Sequence, residues 1–316
     1  MAGPRRSVLV CEFMDGAAVE RLRAVHEVDY RPELVDQPAA LAQAAASCDA
    51  LIVRNRTQVR GALLEALARC RVVGRLGVGL DNIDVAACEA RGIAVIPATG
   101  ANALSVAEYV ITATLLLLRG AYASTAQVAA GAWPRAALGQ GRETSGKTLG
   151  IIGFGSIGRL VAGVARSLGM KVIGYDALLP ADDPAWREAG VAATGMGELV
   201  ALADVVTLHV PLVEATRGLF GADRIAAMKQ GAVLINTSRG QVVDAAAVAA
   251  ALRSGHLGGA ALDVFDAEPL PVSPQLQDCP NLLLTPHISG VSVESNERVS
   301  ALIADRVIEC FEKDRA

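Results

Sequence analysis

Three polar residues in the second half of the chain, Arg239, Glu268 and His287, combine the functional groups needed to reduce a keto acid. Each follows a short apolar run, so each is predicted to lie just beyond the end of a strand. The planar guanidinium of an arginine pairs bidentately with a carboxylate, and a histidine that titrates near neutral pH can donate a proton to a forming alkoxide. A neighbouring glutamate can orient the imidazole and favour its protonated form.

Each of these residues also has an ordinary structural interpretation when it is considered alone. Glu268 precedes Pro269 in one predicted turn, and His287 follows Pro286 in another. Residues of this kind are structural about as often as they are catalytic. Three of them at one sheet edge favour catalysis, provided that a sheet and a coenzyme site lie beside them.

The stretch from Thr148 to Asp176 predicts that coenzyme site. An apolar run of strand length leads into Gly153-Phe154-Gly155-Ser156-Ile157-Gly158, and an amphipathic helix pattern follows. A second short strand pattern then ends on Asp176. A lone G-x-G-x-x-G is weak evidence and can be an ordinary turn, but between a strand and a helix, with an acidic residue about 20 residues on, it indicates dinucleotide binding.

The glycines and the acidic residue have separate roles in this prediction. Gly153 permits a sharp turn, Gly155 lets a pyrophosphate approach the backbone, and Gly158 lets the helix pack on the strand. The N–H groups of the helix N-terminus face the phosphates. Asp176 accepts hydrogen bonds from ribose hydroxyls and repels a 2′-phosphate, so the predicted coenzyme is NAD. The other predicted coenzyme contacts lie in the same turn or after later strands: Ser156, Ile157, His209, Pro211, Thr216, Thr237 and Asp263.

The composition is that of a globular protein of about two domains. The 316 residues are 52% hydrophobic and 20% charged, with a formal net charge of −4. There is no basic field for nucleic acid and no apolar run near the roughly 20 residues that span a bilayer, so neither partner is predicted. The six scattered cysteines, without a C-x-x-C motif, predict reduced thiols in the cytoplasm and no metal site.

The first hundred residues alternate short strand and helix patterns without a glycine fingerprint, which predicts a second parallel sheet covered on both faces. Two of its loops follow strands and carry groups suited to anions. One contains Arg54, and the other contains Gly77, Val78 and Gly79, whose backbone N–H groups can approach a carboxylate. Ligands of open α/β sheets lie beyond the carboxyl ends of the strands. The alternative is that both loops are plain turns.

A long helix is predicted between the two sheets. It begins at Asn102 or near Ser105, since Ser105 and Glu108 have the spacing of a capping box. The segment from Ala121 to Gly141 is predicted to continue as helix and then loop. An exposed Trp133 there would indicate a subunit interface, and a tryptophan packed on its own domain is the alternative.

The motifs GFGSIG, NTSRG, DVFDAEP and TPHISG, in this order and spacing, resemble the D-isomer-specific 2-hydroxyacid dehydrogenases over almost the whole chain. GRLGVGLDNID and KTLGIIGFGSIGR are most similar to the phosphoglycerate dehydrogenase branch. The resemblance implies an α/β fold of two doubly wound parallel-sheet domains with the active site in the cleft between them. A Rossmann coenzyme domain is expected at 99–285, and a flavodoxin-like substrate domain at 1–98 and 286–316. The resemblance also implies a homodimer built by the coenzyme domains.

The same resemblance assigns roles to individual residues. The catalytic Arg, Glu and His of the family fall on Arg239, Glu268 and His287, and its substrate-loop glycines fall on Gly77 and Gly79. The full predicted substrate-binding set consists of Arg54, Arg75, Gly77, Val78, Gly79, Asn102 and Arg135, the last of which is implied to reach across a dimer.

The arginines of this set predict the substrate class. Several cations around one small cleft would be costly unless an anion meets them. The predicted reaction is therefore NAD-dependent hydride transfer on a small-molecule 2-hydroxy or 2-keto acid with a second anionic group, of the 3-phosphoglycerate or 3-sulfolactate type. Alternatively, Arg54 and Arg75 pair with local acids such as Asp81 or Asp84.

Two departures from the branch leave the substrate open. Thr99-Gly100-Ala101-Asn102 replaces the usual Pro-Asn-Gly-Asn, and Ser289 stands where a glycine is usual. A glyoxylate or hydroxypyruvate reductase is one alternative function. A non-catalytic NAD(H)-sensing scaffold is another, although the complete set of Arg239, Glu268 and His287 favours an enzyme.

Overall fold

The computed structural model of the protein describes residues 4–120 and 124–313, which form two compact units. The first unit comprises Met1–Asn102 and Val291–Ala316, and the second comprises Ala103–Gly290. Among the described residues, no helix is both long enough and apolar enough to cross a membrane.

The first unit contains a sheet of five parallel strands with helices on both faces. The strands are β1 (Ser7–Val10), β2 (Glu27–Tyr30), β3 (Ala50–Val53), β4 (Val72–Arg75) and β5 (Ala94–Pro97). The helices are α1 (Gly16–Val25), α2 (Pro38–Ala45), α3 (Gly61–Ala66), α4 (Val85–Ala90) and the last helix of the chain, α13 (Val293–Lys313). The strand order β2-β1-β3-β4-β5 is that of a flavodoxin-like sheet.

Apolar side chains fill both faces of this sheet. Leu51 belongs to the core beneath α2 and α3, whereas Ile52 belongs to the core beneath α1 and α13. Gly74 allows α13 to approach β4 closely, because a Cβ atom there would lie 2.7 Å from Cγ2 of Ile303.

The second unit contains a larger parallel sheet. Its strands are β6 (Thr148–Ile152), β7 (Lys171–Tyr175), β8 (Ala192–Ala193), β9 (Val205–Leu208), β10 (Ala232–Asn236), β11 (Leu257–Leu262) and β12 (Leu282–Leu284). Its helices are α5 (Ala103–Arg119), α6 (Thr125–Ala129), α7 (Arg135–Leu138), α8 (Ser156–Ser167), α9 (Pro184–Ala189), α10 (Met196–Leu202), α11 (Ala222–Ala226) and α12 (Ala245–Arg253). Short 3₁₀ turns in the two units cover Pro32–Asp36, Glu214–Thr216 and Gly240–Val242.

The strand order of the second sheet is β12-β11-β10-β9-β6-β7-β8, which is the Rossmann order with one added strand. The helices α5 and α8 cover a core that includes Leu149 and Ile151, and α10 and α12 cover one that includes Ile152 and Val206. The predicted class of two doubly wound parallel-sheet units is therefore confirmed.

Several local features differ from the sequence-based expectations. The strand β8 and the helices α9 to α11, of two to seven residues each, are present in the structure and were not predicted from the sequence. Of the two predicted starts of α5, the structure selects Asn102, which directly precedes the helix, whereas Ser105 lies inside it and donates to the carbonyl of Ser289 at 3.0 Å. Residues 121–123 of the predicted helical continuation lie outside the described residues.

Candidate active site

The parallel strands of the second unit bring their carboxyl ends to one edge of the sheet, and polar or glycine residues follow most of them. The residues that come directly after these strands are Gly153, Asp176, His209, Thr237, Asp263 and Thr285. Such an edge is where open α/β sheets bind ligands.

The glycine-rich turn has little room for side chains at two of its three glycines. Gly153 has a φ angle of +95°, and a Cβ atom there would lie 2.7 Å from the carbonyl of His209. A Cβ atom on Gly158 would lie 2.4 Å from the carbonyl oxygen of Gly153. Gly155 instead has no atom within 4 Å of a Cβ position, and no side chain caps α8, whose first residues are Ser156 and Ile157. The turn thus leaves open the space and the N–H groups that a pyrophosphate needs.

Asp176 ties the end of β7 to this turn. Its Oδ2 accepts from the backbone N–H of Phe154 at 2.7 Å, and its Oδ1 accepts from the N–H of Leu178 at 2.8 Å. Each carboxylate oxygen has two lone pairs, so both can still accept from ribose hydroxyls. The two backbone bonds fix the carboxylate in place before any ribose binds.

Two polar atoms at the same edge are buried and have no hydrogen-bond partner among the described residues. They are Nδ1 of His209 and Oγ1 of Thr237. The other ring nitrogen of His209 lies 3.1 Å from Oγ1 of Thr207, and burial lowers the pKa of His209 to about 3, so the imidazole is neutral. Unpaired buried polar atoms are rare in proteins, and the hydroxyl and amide groups of NAD can supply the missing partners. The edge therefore fits a dinucleotide.

Thr216 has a partner within its own segment. Its hydroxyl lies 2.6 Å from the carbonyl of Pro211 and accepts from the N–H of Val213 at 2.9 Å, which closes the turn after β9. The structure thus gives Thr216 a role in shaping the predicted contact region around Pro211.

Glu268 follows β11 and His287 follows β12, and the structure brings their side chains into contact. Nδ1 of His287 lies 2.6 Å from Oε2 of Glu268, and Oε1 of Glu268 accepts from the N–H of Phe265 at 3.0 Å. Burial raises the pKa of Glu268, but the two hydrogen bonds and the charges of His287 and Arg239 outweigh it, so the pKa of this carboxyl lies below its usual value. Glu268 is therefore ionised at neutral pH.

Arg239 lies close enough for its charge to lower the pKa of Glu268. Its Nη1 donates to its neighbour, the carbonyl of Ser238, at 2.6 Å, and its own carbonyl accepts from Nδ2 of Asn236 at 2.9 Å. The next residue, Gly240, lets the loop pack against the segment after β11, since a Cβ atom there would lie 2.0 Å from the carbonyl carbon of Phe265. All three predicted catalytic residues thus share one edge.

Asp263 has partners that the sequence did not indicate. Its side chain is fully buried, and its carboxylate accepts from the Thr285 hydroxyl at 2.6 Å and from the backbone N–H groups of Ile288 and Ser289 at 2.8 Å each. Its carbonyl accepts from the N–H of His287 at 2.8 Å. The residue predicted to contact the coenzyme therefore also holds the loop that carries His287.

In the first unit, Arg54 follows β3 and is half-buried without a carboxylate partner among the described residues. Its Nη2 donates to Oδ1 of Asn296 at 2.8 Å, and its guanidinium lies 5.8 Å from the centre of the Phe13 ring. The nearby Glu12 instead accepts from the backbone N–H groups of Arg54 and Thr57. Burial lowers the pKa of Arg54, and the charge of Glu12 only partly opposes this shift.

Arg75 is the last residue of the adjacent strand β4. In the β3–β4 pair it lies opposite Val53, the residue directly before Arg54. The guanidinium of Arg75 packs on Gly77, where a Cβ atom would lie 1.4 Å from Nη1. The loop continues through Val78, which is exposed, and Gly79, which is half-buried. The absence of a side chain at Gly77 thus leaves space for the guanidinium of Arg75. The sequence predicted only that the backbone of this loop would approach a carboxylate.

Asn102 and Arg135 complete the predicted substrate-binding set. Oδ1 of Asn102 is buried and without a hydrogen-bond partner in the described part of the chain. Arg135 begins α7 in the second unit, and its side chain is exposed. Their roles stay predictions.

Sequence reasoning did not identify Tyr109, Thr285 or Asn296 as parts of these arrangements. Tyr109 lies on the apolar helix α5, where its hydroxyl is 2.5 Å from Oγ1 of Thr285. The available signal was weak: a phenol on the buried face of a helix needs a hydrogen-bond partner, but the pattern does not say which one.

Comparisons with known proteins identify what the whole chain is similar to. The model of the D-isomer specific 2-hydroxyacid dehydrogenase NAD-binding domain matches residues 111–289. An (S)-sulfolactate dehydrogenase of Chromohalobacter salexigens is 53% identical over 300 residues, which cover 95% of this chain and 96% of that protein. A chloroplastic D-3-phosphoglycerate dehydrogenase 2 of Arabidopsis thaliana is 38% identical to this chain. The matched region covers 96% of this chain but only 48% of the longer plant protein. The crystal structure of an Aquifex aeolicus D-lactate dehydrogenase with NAD and lactic acid has a TM-score of 0.82 at 28% identity, covering 98% of this chain and 96% of that one.

Proposed function

The chain belongs to the D-isomer specific 2-hydroxyacid dehydrogenase family and carries its NAD-binding domain, and from this premise we propose a substrate and residue roles. The protein is an NAD-dependent oxidoreductase that acts on the CH–OH group of a 2-hydroxy acid. We propose that this acid bears a second anionic group on its third carbon, as 3-sulfolactate and 3-phosphoglycerate do.

The contact between His287 and Glu268 carries the proposed mechanism. Glu268 is ionised and can only accept a hydrogen bond, so the bridging hydrogen belongs to Nδ1 of His287. The atom Nε2 is then the one that gives a proton to the forming alkoxide in reduction and takes one from the hydroxyl in oxidation. NAD(H), when bound, supplies or accepts the hydride.

Arg239 is proposed to bind the substrate carboxylate and to polarise the adjacent carbonyl. Its charge already acts on Glu268, which places a cation beside the proton donor. A guanidinium suits this role because it remains charged at every relevant pH and pairs bidentately with a carboxylate.

The environment of Arg54 supports the proposal that the substrate carries a second anionic group. A half-buried guanidinium without an ion pair is costly, and a bound phosphate or sulfonate would remove that cost. The 53% identity to a protein named (S)-sulfolactate dehydrogenase points to the sulfonate. Among the described residues, the charge of the nearby Glu12 acts on Arg54, but Glu12 forms no ion pair with the guanidinium and accepts from backbone N–H groups instead.

Oxidation of NADH with a panel of 2-keto acids tests the substrate class. Sulfopyruvate or phosphohydroxypyruvate should give a kcat/KM at least about tenfold above pyruvate, glyoxylate and hydroxypyruvate, because a charge-assisted contact contributes ~1.5–3 kcal/mol. Equal values for the monoanions would instead indicate a glyoxylate or hydroxypyruvate reductase.

His287→Ala should lower kcat by about 10²- to 10⁴-fold while NADH still binds.

We also propose that the protein is a cytoplasmic homodimer. The side chain of Trp133 is 78% exposed, and neither α6 nor α7 buries any residue within its own unit, which supports a partner subunit on this surface. The scattered cysteines support a reducing compartment. Sedimentation of the purified protein would test the dimer.

A further inference from the structure

The catalytic loop between β12 and Gly290 has an unusual backbone. His287 has a φ angle of +57°, in the left-handed region that residues with a Cβ atom seldom occupy. Its N–H is shared between the carbonyls of Asp263 at 2.8 Å and Thr285 at 3.0 Å. Such a conformation persists only where the surroundings impose it.

The imposed contacts converge on the carboxylate of Asp263. Oδ1 accepts from the hydroxyl of Thr285 and the N–H of Ile288, and Oδ2 accepts from the N–H of Ser289. These donors lie on both sides of His287 in the sequence. A buried carboxylate is stable only when such donors satisfy it, so the loop and the carboxylate hold each other.

A second hydroxyl, that of Tyr109 on α5, completes this arrangement. The Thr285 hydroxyl has one hydrogen and directs it to the charged oxygen of Asp263, so Tyr109 must donate to Oγ1 of Thr285 across 2.5 Å. Burial raises the pKa of Tyr109, and the charge of Asp263 adds to this, so the phenol keeps its hydrogen. The result is a directed chain from Tyr109 through Thr285 to Asp263.

We propose that Tyr109 and Thr285 are positioning residues for His287 and that they act through Asp263. The chain fixes the loop so that Nδ1 of His287 stays on Glu268 and Nε2 stays free for the substrate. The proposal rests on the proposed function of His287, but it concerns residues that need not touch substrate or coenzyme.

Thr285→Val tests the proposal, because valine has the shape of threonine and lacks its hydroxyl. It should lower kcat by about 10- to 100-fold, as expected when a catalytic group is misplaced by about 1 Å, with KM changed less than about threefold. Thr285→Ser should restore most of the lost activity. Tyr109→Phe should lower kcat in the same direction by a smaller factor, and Tyr30→Phe in the first unit serves as its control.

A second readout does not depend on turnover. In histidine-labelled protein, the NMR resonance of the hydrogen on Nδ1 of His287, identified by its loss in His287→Ala, reports the bond to Glu268. Thr285→Val should broaden or remove this resonance, and Thr285→Ser should keep it. A Thr285→Val protein with native kcat and a native resonance, or one that only melts at a lower temperature, would overturn the proposal. If the native protein reduces no 2-keto acid, the proposed function fails, while the resonance still decides the positioning roles.

Discussion

Nδ1 of His287 lies 2.6 Å from Oε2 of Glu268, although 19 residues separate them in the chain. The pKa of Glu268 is lowered, so its carboxylate is negatively charged throughout the neutral range and lies beside the imidazole. This relationship determines how the rate should depend on pH.

Glu268→Gln should move the pH profile of keto-acid reduction to lower pH, because it removes the negative charge that lies 2.6 Å from the imidazole. Reduction needs the protonated imidazole, which a carboxylate stabilises and the neutral amide of glutamine does not. Oxidation should show the opposite dependence on pH. The exposed Asp266→Asn is the matched control, and a profile that does not move in Glu268→Gln would count against the pairing.

The position of Asp176 predicts coenzyme preference. A 2′-phosphate would face a carboxylate that two backbone N–H groups hold in place, so NADH should exceed NADPH in kcat/KM by about 100-fold, as expected for an unsatisfied charge. Asp176→Asn should reduce this preference at least about tenfold, whereas the exposed Asp182→Asn should not. Equal use of both coenzymes by the native enzyme would show that the ribose contact is misplaced.

Two glycines of α8 should respond to alanine in opposite directions. Gly158→Ala places a methyl group 2.4 Å from the carbonyl oxygen of Gly153, so it should weaken NADH binding and destabilise the fold by ~1–3 kcal/mol. Gly163→Ala meets no atom within 4 Å and should stabilise the helix by ~0.5–1 kcal/mol. Fluorescence titration with NADH and chemical denaturation measure both effects, and similar results for the two variants would contradict the proposed turn.

Arg54→Ala should raise KM for the dianionic keto acid by about 10- to 100-fold, which corresponds to the ~1.5–3 kcal/mol of a charge-assisted contact. KM for glyoxylate should change little, because glyoxylate has no second anion. Arg56→Ala is a matched control two residues away, since Arg56 is exposed and pairs with Asp36. If both variants affect the dianion equally, Arg54 does not bind the second anionic group.

The sequence predicted the features that depend on local pattern. Strand-length apolar runs followed by Asp176, Glu268 or His287 were sufficient to place these residues at one edge, because parallel strands end together. The contact between Arg54 and Asn296 could not be predicted, since it depends on how α13 returns to the first sheet. The hydroxyl chain from Tyr109 to Thr285 depends in the same way on the packing of α5.

The strand β12 has only three residues, and within the described part of the chain it pairs on one side alone, with β11. Short edge strands open locally at a lower free energy than the centre of a sheet. Because His287 follows this strand, detachment of the edge would remove the proton donor while the glycine turn and the interior strands remain folded. On heating, enzymatic activity should therefore disappear before NADH binding and before the cooperative loss of secondary structure, so that inactivation and unfolding are separate events in this protein.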